Sequence, residues 1–221
     1  MANQVEKVNA IAIADIEKII GRTDDNIEKI SGLEFTGVLP DSHTLISTST
    51  ASNQATLDIT SGIDSTYDVY RFDMLNMHPV TDATFAFQVD TGTNTSYNQT
   101  VTSTCSYAWH SENDSSAGLG YSGNRDQGNG TAYQEITGEI VDSGDADSGL
   151  SGQIFLFNPA STTFVKHFLV DTVYFQQDPA SQWWQGAGYF NTTTALTRIS
   201  FKFSSGNIES GVVKMYGMAK S

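Results

Sequence analysis

A single cysteine, Cys105, and four prolines are scattered through a chain of 221 residues. A lone thiol permits no intrachain disulfide, so the fold rests on packing or on association with further copies. Basic residues are scarce as well: 11 Lys and Arg stand against 25 Asp and Glu, a formal net charge of −14. Such a balance repels phosphate backbones and anionic bilayers, which speaks against nucleic-acid binding and membrane insertion. Charged residues of both signs reach only 16%, below the roughly 25% of ordinary globular domains, and Ser, Thr, Asn and Gly fill the gap. Long apolar runs are missing too. The opening MANQVEKVNAIAIADIEKII is interrupted by Glu6, Lys7, Asp15, Glu17 and Lys18, so neither a signal peptide nor a spanning helix is expected there. Aromatic residues, by contrast, make up 11% of the chain, enough for a real core and inconsistent with disorder throughout.

Residues 1–32 contain an eleven-residue repeat: Val5-Glu6-Lys7-Val8, Ile16-Glu17-Lys18-Ile19 and Ile27-Glu28-Lys29-Ile30, the last two followed by Gly21 and Gly32. Apolar residues three apart share one face of a helical turn while the Glu-Lys pair between them meets water. Gly21 and Gly32 sit where a glycine would end a short helix, and Thr23 where a cap would begin one. The spacing predicts short helical turns, although Ala10-Ile11-Ala12-Ile13-Ala14 alternates in a way that suits an extended piece equally. So few large apolar groups cannot form a core alone. Val5, Val8, Ile16, Ile19, Ile27 and Ile30 are therefore expected to dock on a partner, and residues 1–32 to form an attachment and oligomerisation segment.

From residue 33 to 221 the texture is that of a mainly β domain, with alternating runs separated by Gly, Asn, Asp and Ser. The runs Leu33 to Val38, Thr44 to Ser49, Thr56 to Ile59, Tyr67 to Met74, Thr84 to Thr91, Tyr133 to Ile140, Gln153 to Asn158, Phe168 to Phe175, Thr197 to Phe203 and Val212 to Met218 read as strands. Phe85, Phe87 and Val89 share one strand face, as do Ile199, Phe201 and Phe203, and these faces are the expected core. Pro40, Pro79, Pro159 and Pro179 fall between runs. Two antiparallel sheets packed face to face, a β-sandwich of jelly-roll type, follow as the expected architecture. Residues 110–129 and 142–149 read as polar surface loops available for contact.

Chemical signatures are few. Gly118-Leu119-Gly120-Tyr121-Ser122-Gly123 matches the dinucleotide fingerprint by letter, but no buried run precedes it and no helical run follows, so it reads as a loop. No phosphate loop and no nucleophile elbow occurs. His43, His78, His110 and His167 are isolated, without the spacing that places two imidazoles on one metal. Asp142, Asp145 and Asp147 gather oxygen ligands but lack the closing glutamate of a calcium loop, and read as a solvated turn. Glu112, Glu135 and Glu139 have no spacing that fixes the separation a glycosidase needs. No catalytic residue, metal or cofactor is expected. Trp183-Trp184-Gln185-Gly186-Ala187-Gly188-Tyr189 carries more information, since adjacent tryptophans in a strand point opposite ways. Trp183, Trp184 and Tyr189 are the candidate ligand-contact residues, weighed against one tryptophan in the core and its neighbour covering an edge.

The repeated IEKIIG and IEKISG, the segment Ser151-Gly-Gln-Ile154-Phe-Leu156-Phe-Asn158-Pro159, and Ser210-Gly-Val-Val-Lys214-Met-Tyr216-Gly217 after Leu196-Thr-Arg-Ile-Ser-Phe together resemble bacteriophage virion proteins of the tail-fibre and minor structural type. The resemblance implies a non-enzymatic virion component with a β-sandwich body and an N-terminal attachment segment, contacting other virion proteins as a homotrimer or other homo-oligomer. It also implies a role in receptor binding, with a host-surface glycan as one target. Capsid decoration, as a cement or head-fibre protein, and a free-standing carbohydrate-binding module are the alternatives. Deleting residues 1–32 is expected to leave a soluble β domain that no longer joins its oligomer, checked by circular dichroism and light scattering. Loss of the β signal in the truncated protein would make the segment part of the core instead.

Overall fold

The computed structural model describes residues 43–145 and 148–218, together with the backbone of four short strands nearer the N-terminus. The chain divides into two compact units, Met1–Ser42 and His43–Ser221. In the first, β1 (Lys7–Val8) pairs antiparallel with β2 (Ile11–Ala12), and β3 (Lys29–Ile30) with β4 (Leu33–Glu34). Lys7, Val8, Lys29 and Ile30 belong to the first and third repeat copies, and their backbone is extended where helical turns were expected. In each case two sequence positions separate the paired strands, the spacing a tight hairpin needs, and β-branched residues favour the pleat over the helix. Val5, Ile16, Ile19 and Ile27 lie outside the described residues.

The second unit contains twelve strands: β5 (His43–Gln54), β6 (Leu57–Ile59), β7 (Val69–Pro79), β8 (Phe85–Thr91), β9 (Val101–Ser111), β10 (Ala117–Tyr121), β11 (Gln134–Glu135), β12 (Leu150–Phe157), β13 (Lys166–Gln176), β14 (Ala180–Phe190), β15 (Leu196–Phe203) and β16 (Ile208–Met218). Their pairing is antiparallel throughout and builds two sheets. An eight-stranded sheet runs β10-β9-β14-β13-β12-β7-β16-β5, and a four-stranded sheet runs β11-β8-β15-β6. Pro79 ends β7 rather than following it.

The side chains on the inner faces form one buried cluster drawn from both sheets. Phe201 of β15 lies between Phe85 of β8, stacked at 6.1 Å, and Phe72 of β7 at 6.3 Å. Phe87 of β8 meets Phe168 of β13 edge-on at 5.3 Å and Phe190 of β14 at 6.0 Å. The contacts of Phe201 with Phe72 and of Phe87 with Phe168 and Phe190 cross from one sheet to the other, and the favourable ring geometries add to the burial of apolar area. The expected core faces are therefore the observed ones. Lys166, wholly buried at the start of β13, donates from Nζ to the carbonyls of Phe164 (2.8 Å) and Thr192 (3.0 Å). Burial lowers its pKa from the ordinary lysine value.

Residues 110–129 are not one loop. β9 continues to Ser111, a turn follows, and β10 occupies Ala117–Tyr121 before the chain leaves the sheet. The glycines of the fingerprint-like hexapeptide have a packing reason. A Cβ at Gly118 would collide with the Trp109 ring, and one at Gly120 would come 3.0 Å from the Tyr107 hydroxyl oxygen. The bare strand lets both rings lie across it, which polar loop composition concealed.

Close approach of backbones also fixes Gly152 in β12, where a Cβ would stand 2.6 Å from Thr172 Cα. Gly152→Ala is expected to lower stability by about 2 kcal/mol through forced strand displacement, whereas Gly128→Ala, with open space around it, should leave it within about 0.5 kcal/mol. Urea midpoints at unchanged slope would check the pair.

Candidate functional site

The outer faces of the two sheets differ. On the four-stranded sheet, every residue of β8 is buried, including Gln88 and Asp90, which point away from the core. Gln88 Nε2 donates to the carbonyls of Gln99 (3.1 Å) and Ala132 (2.9 Å), and Asp90 accepts from the Tyr97 N–H (2.8 Å) and Gln99 Nε2 (2.9 Å). Residues 97–99 and 131–132 are thereby tied over this face, and Tyr133 is linked to Ser200 by a 3.0 Å hydrogen bond. Its polar groups are used internally.

On the eight-stranded sheet the outward positions form rows across the strands. One row runs Leu119, Ala108, Trp183, Val173 and Ser151, reaching Leu75 and Val212 beyond it. The next is polar: Ser106, Gln185, Asp171, Gln153, Asp73 and Lys214. The third returns to apolar and aromatic character with Ala187, Leu169, Phe155, Arg71, Tyr216 and Leu45. Among the described residues, Leu45, Leu75, Leu119, Leu169, Val173 and Trp183 are six of the nine large hydrophobic side chains found exposed, Leu119 at 84%. Exposed apolar groups gathered on one sheet face, rather than scattered singly, mark a contact surface. Arg71 meets Asp73 through two nitrogens, at 2.9 and 3.0 Å, and lies over the Tyr216 ring at 4.8 Å. The charged groups in these rows are Arg71, Lys214, Asp73 and Asp171, a balanced set on a chain of net charge −14.

The three sequence-predicted ligand residues are separated. Trp183, 44% exposed, lies on this outward face, its indole N–H donating to Asp171 Oδ1. Tyr189 is on the same side of β14, half-buried beside His167 at a ring separation of 6.1 Å. Trp184 points the other way and is fully buried, stacked on Tyr107 at 6.1 Å and 16°. Alternation in a strand forces this split, so Trp184 is a core residue and not a ligand contact. Trp183 covers no edge, since β14 is flanked by β13 and β9.

A concavity lies on the inner side, where the eight-stranded sheet extends past the four-stranded one. Residues 136–141 cross the inner face of β13, clipped by Thr172, whose hydroxyl donates to the Ile136 carbonyl at 2.7 Å. The Tyr174 hydroxyl oxygen accepts from the N–H groups of Gly138 and Glu139, both at 2.8 Å, and donates to Gln182 Oε1. Burial holds the Tyr174 pKa above the ordinary phenol value. Between this crossing segment and β9 opens a cleft of about 350 Å³, bordered by Tyr107, Trp109, Glu139, Gln177, Asp178 and Gln182. Tyr107 and Trp109 are adjacent rings, 5.6 Å apart and inclined by 31°. Their signal in the sequence was the alternation Cys105-Tyr107-Trp109, hidden among Ser and Thr.

The remaining candidates stand apart. The Cys105 thiol is buried and pushed up to about 12 by desolvation, which makes it inert as a nucleophile. Asp142 spends its carboxylate on the N–H groups of Gly144 (3.0 Å) and Asp145 (3.3 Å), and Asp147 lies outside the described residues. Glu135 is paired with Arg125, and Glu112 sits on the β9–β10 turn, its N–H bonded to the Pro179 carbonyl at 3.0 Å. His78 bridges Glu209 (2.8 Å) and the Asp145 carbonyl (3.2 Å). Among the described residues no three His, Cys, Asp or Glu side chains gather as a metal site would need, and no helix is long and apolar enough to cross a membrane.

The chain matches no protein-family model, no curated protein and no solved structure.

The two tryptophans should part company on substitution. Trp184→Ala is expected to cost about 3–5 kcal/mol, and Trp183→Ala less than about 1 kcal/mol. Urea titration followed by circular dichroism would check this, and equal losses would contradict the assignment of faces.

Proposed function

We propose that the protein is a non-enzymatic structural protein of a bacteriophage virion, of tail-fibre or adhesion type, with a jelly-roll body. The observation that carries this reading is the strand pairing. β5 pairs with β16, β6 with β15, β7 with β12 and β8 with β11, so eight strands form one long hairpin. The further pairs β16·β7 and β15·β8 are those made when such a hairpin is rolled up into two four-stranded sheets. β9 and β10, inserted between β8 and β11, and β13 and β14, between β12 and β15, extend one of those sheets to eight strands. Jelly rolls serve as bodies of viral capsid proteins and of lectins, and the composition, poor in charge and rich in hydroxyls and amides, suits an exposed particle surface. The sequence resemblance to virion proteins supports the same assignment. Fold alone does not fix function, and capsid decoration remains the nearest rival because it uses the same body.

In this reading the protein assembles as a homotrimer, with residues 1–32 serving attachment. The outward face of the eight-stranded sheet is the surface on which copies meet: it gathers the exposed apolar side chains, and its balanced charges spare strongly acidic subunits the repulsion they would meet elsewhere. Light scattering is expected to give three chains per particle for the wild type and one for Leu169→Glu/Val173→Glu. Mass spectrometry of purified phage particles should find the chain at fixed stoichiometry. Its absence from particles would overturn the virion reading, and a monomeric wild type would overturn the assembly.

A further inference from the structure

We infer that the cleft between residues 136–141 and β9 binds a neutral saccharide, with Trp109 and Tyr107 as the stacking platform and Gln182 as a buried hydrogen-bond donor. This rests on the reading of the protein as a non-enzymatic adhesion component and names the ligand class such a component would take.

A pyranose ring presents C–H groups on its faces and hydroxyls around its rim, and each hydroxyl both donates and accepts. A complementary site needs an exposed aromatic face for the former and mixed donors and acceptors for the latter. The cleft has both. Tyr107 and Trp109 lie side by side, half-buried, their rings seated over the bare Cα atoms of Gly120 and Gly118. Backing each ring with a glycine strand fixes its tilt before any ligand arrives, which reduces the ordering cost of binding. At the rim stand the carboxylates of Glu139 and Asp178 and the amide of Gln177, all exposed. The volume, about 350 Å³, falls in the roughly 300–1,000 Å³ range of small-ligand clefts.

Gln182 decides the ligand's chemistry. It is 2% exposed, yet it borders the cleft. The Tyr174 hydroxyl already receives two backbone N–H groups, so its own proton must go to an acceptor, and that acceptor is Gln182 Oε1. The amide orientation follows from this network. The N–H groups of Nε2 are then the part of Gln182 that this network does not use, and they are available to a ligand in the cleft. A ligand hydroxyl can accept from Nε2 and donate onward to a carboxylate. A quaternary ammonium would suit the aromatic rings and the acids, but it brings no acceptor for Nε2. An anionic sugar would meet Glu139 and Asp178 with no cation among the residues bordering the cleft.

The full-length protein would be applied to a printed panel of neutral, sialylated and sulfated oligosaccharides, and the best neutral member titrated by calorimetry. Binding to a neutral glycan is expected, with Trp109→Ala weakening it at least about tenfold, Trp109→Phe keeping most of it, and Glu139→Gln weakening it by about tenfold. Trp183→Ala, on the opposite face, should change nothing. Glu139 is exposed, so its variant keeps the test valid if Trp109→Ala proves unstable. No binding to any neutral glycan, a preference for the sialylated or sulfated members, or affinity unchanged in Trp109→Ala and Glu139→Gln would overturn the inference, as would Trp109-dependent retention on immobilised choline. Presence in phage particles without neutral-glycan binding would sink this inference alone. Cleft-dependent binding by a protein absent from particles would sink the virion reading alone, and cleavage of the bound glycan would keep the site while ending the non-enzymatic reading.

Discussion

The Tyr174 hydroxyl is the contact on which the arrangement of this protein turns. Eight strands cannot be covered by four, so part of the larger sheet's inner face must be closed by something other than a second sheet. Residues 136–141 do this, and they carry backbone polar groups that a buried crossing would otherwise leave unpaired. Tyr174 takes two of their N–H groups and passes its own proton to Gln182, while Thr172 takes up the Ile136 carbonyl. A phenol can do this where a carboxylate could not, because it stays neutral in a buried position and donates as well as accepts. Gly138 completes the closure, since a Cβ there would collide with the Trp184 ring.

That closure sorts the surface into faces with different capacities. The four-stranded sheet has its outer polar groups satisfied by residues 97–99 and 131–132, and it offers little to a partner. The outward face of the eight-stranded sheet keeps alternating apolar and polar rows, with the Arg71–Asp73 pair and the Trp183 indole anchored to Asp171 lying across it. The inner cleft is smaller and chemically sharper, with the Gln182 amide and two adjoining rings at its border. An extended, charge-balanced apolar face suits a second copy of the chain, whereas a narrow cleft with convergent donors and acceptors suits a small hydroxylated ligand. The two proposals therefore occupy opposite sides of the same strands and do not compete.

Much of the β architecture was legible because its strands obey simple alternation. Phe85, Phe87 and Val89, and Ile199, Phe201 and Phe203, announce their inner faces directly, and both sets are buried in the common core. What escaped was β9, β10 and β14. In VTSTCSYAWHS the inward residues include Ser103 and Cys105 beside Tyr107 and Trp109, and in ASQWWQGAGYF glycines and glutamine break the expected apolar period. Strand propensity reflects fit to neighbours more than an intrinsic preference, and these three strands fit one another: small residues on one receive large rings from the next. No scan of a single segment can see that. The same pairing turned a fingerprint-like glycine spacing into a strand, since Gly118 and Gly120 answer to Trp109 and Tyr107 rather than to a phosphate.

The candidate site was legible only in part, for a related reason. The Trp183-Trp184 pair promised one exposed and one buried ring, and alternation delivered that split, but which ring faces outward depends on the register of β14 against β13 and β9. Once Trp184 is inward, its neighbour across β9 is Tyr107 and the next inward residue along β9 is Trp109, so the core tryptophan becomes the first member of an aromatic row whose far end reaches the cleft. The strands β9, β10, β13 and β14 thus carry the rings of the proposed cleft and share the outward face with β12, β7, β16 and β5. Strands that lengthen a sheet continue its hydrogen-bond ladder and add surface on both sides at once, and here they also give Cys105, Phe168 and Phe190 to the core. That added surface allows β9 and β14 to use Ser, Thr, Gly and Gln freely, and it is why the residues least like a core-forming strand are the ones that line the proposed site.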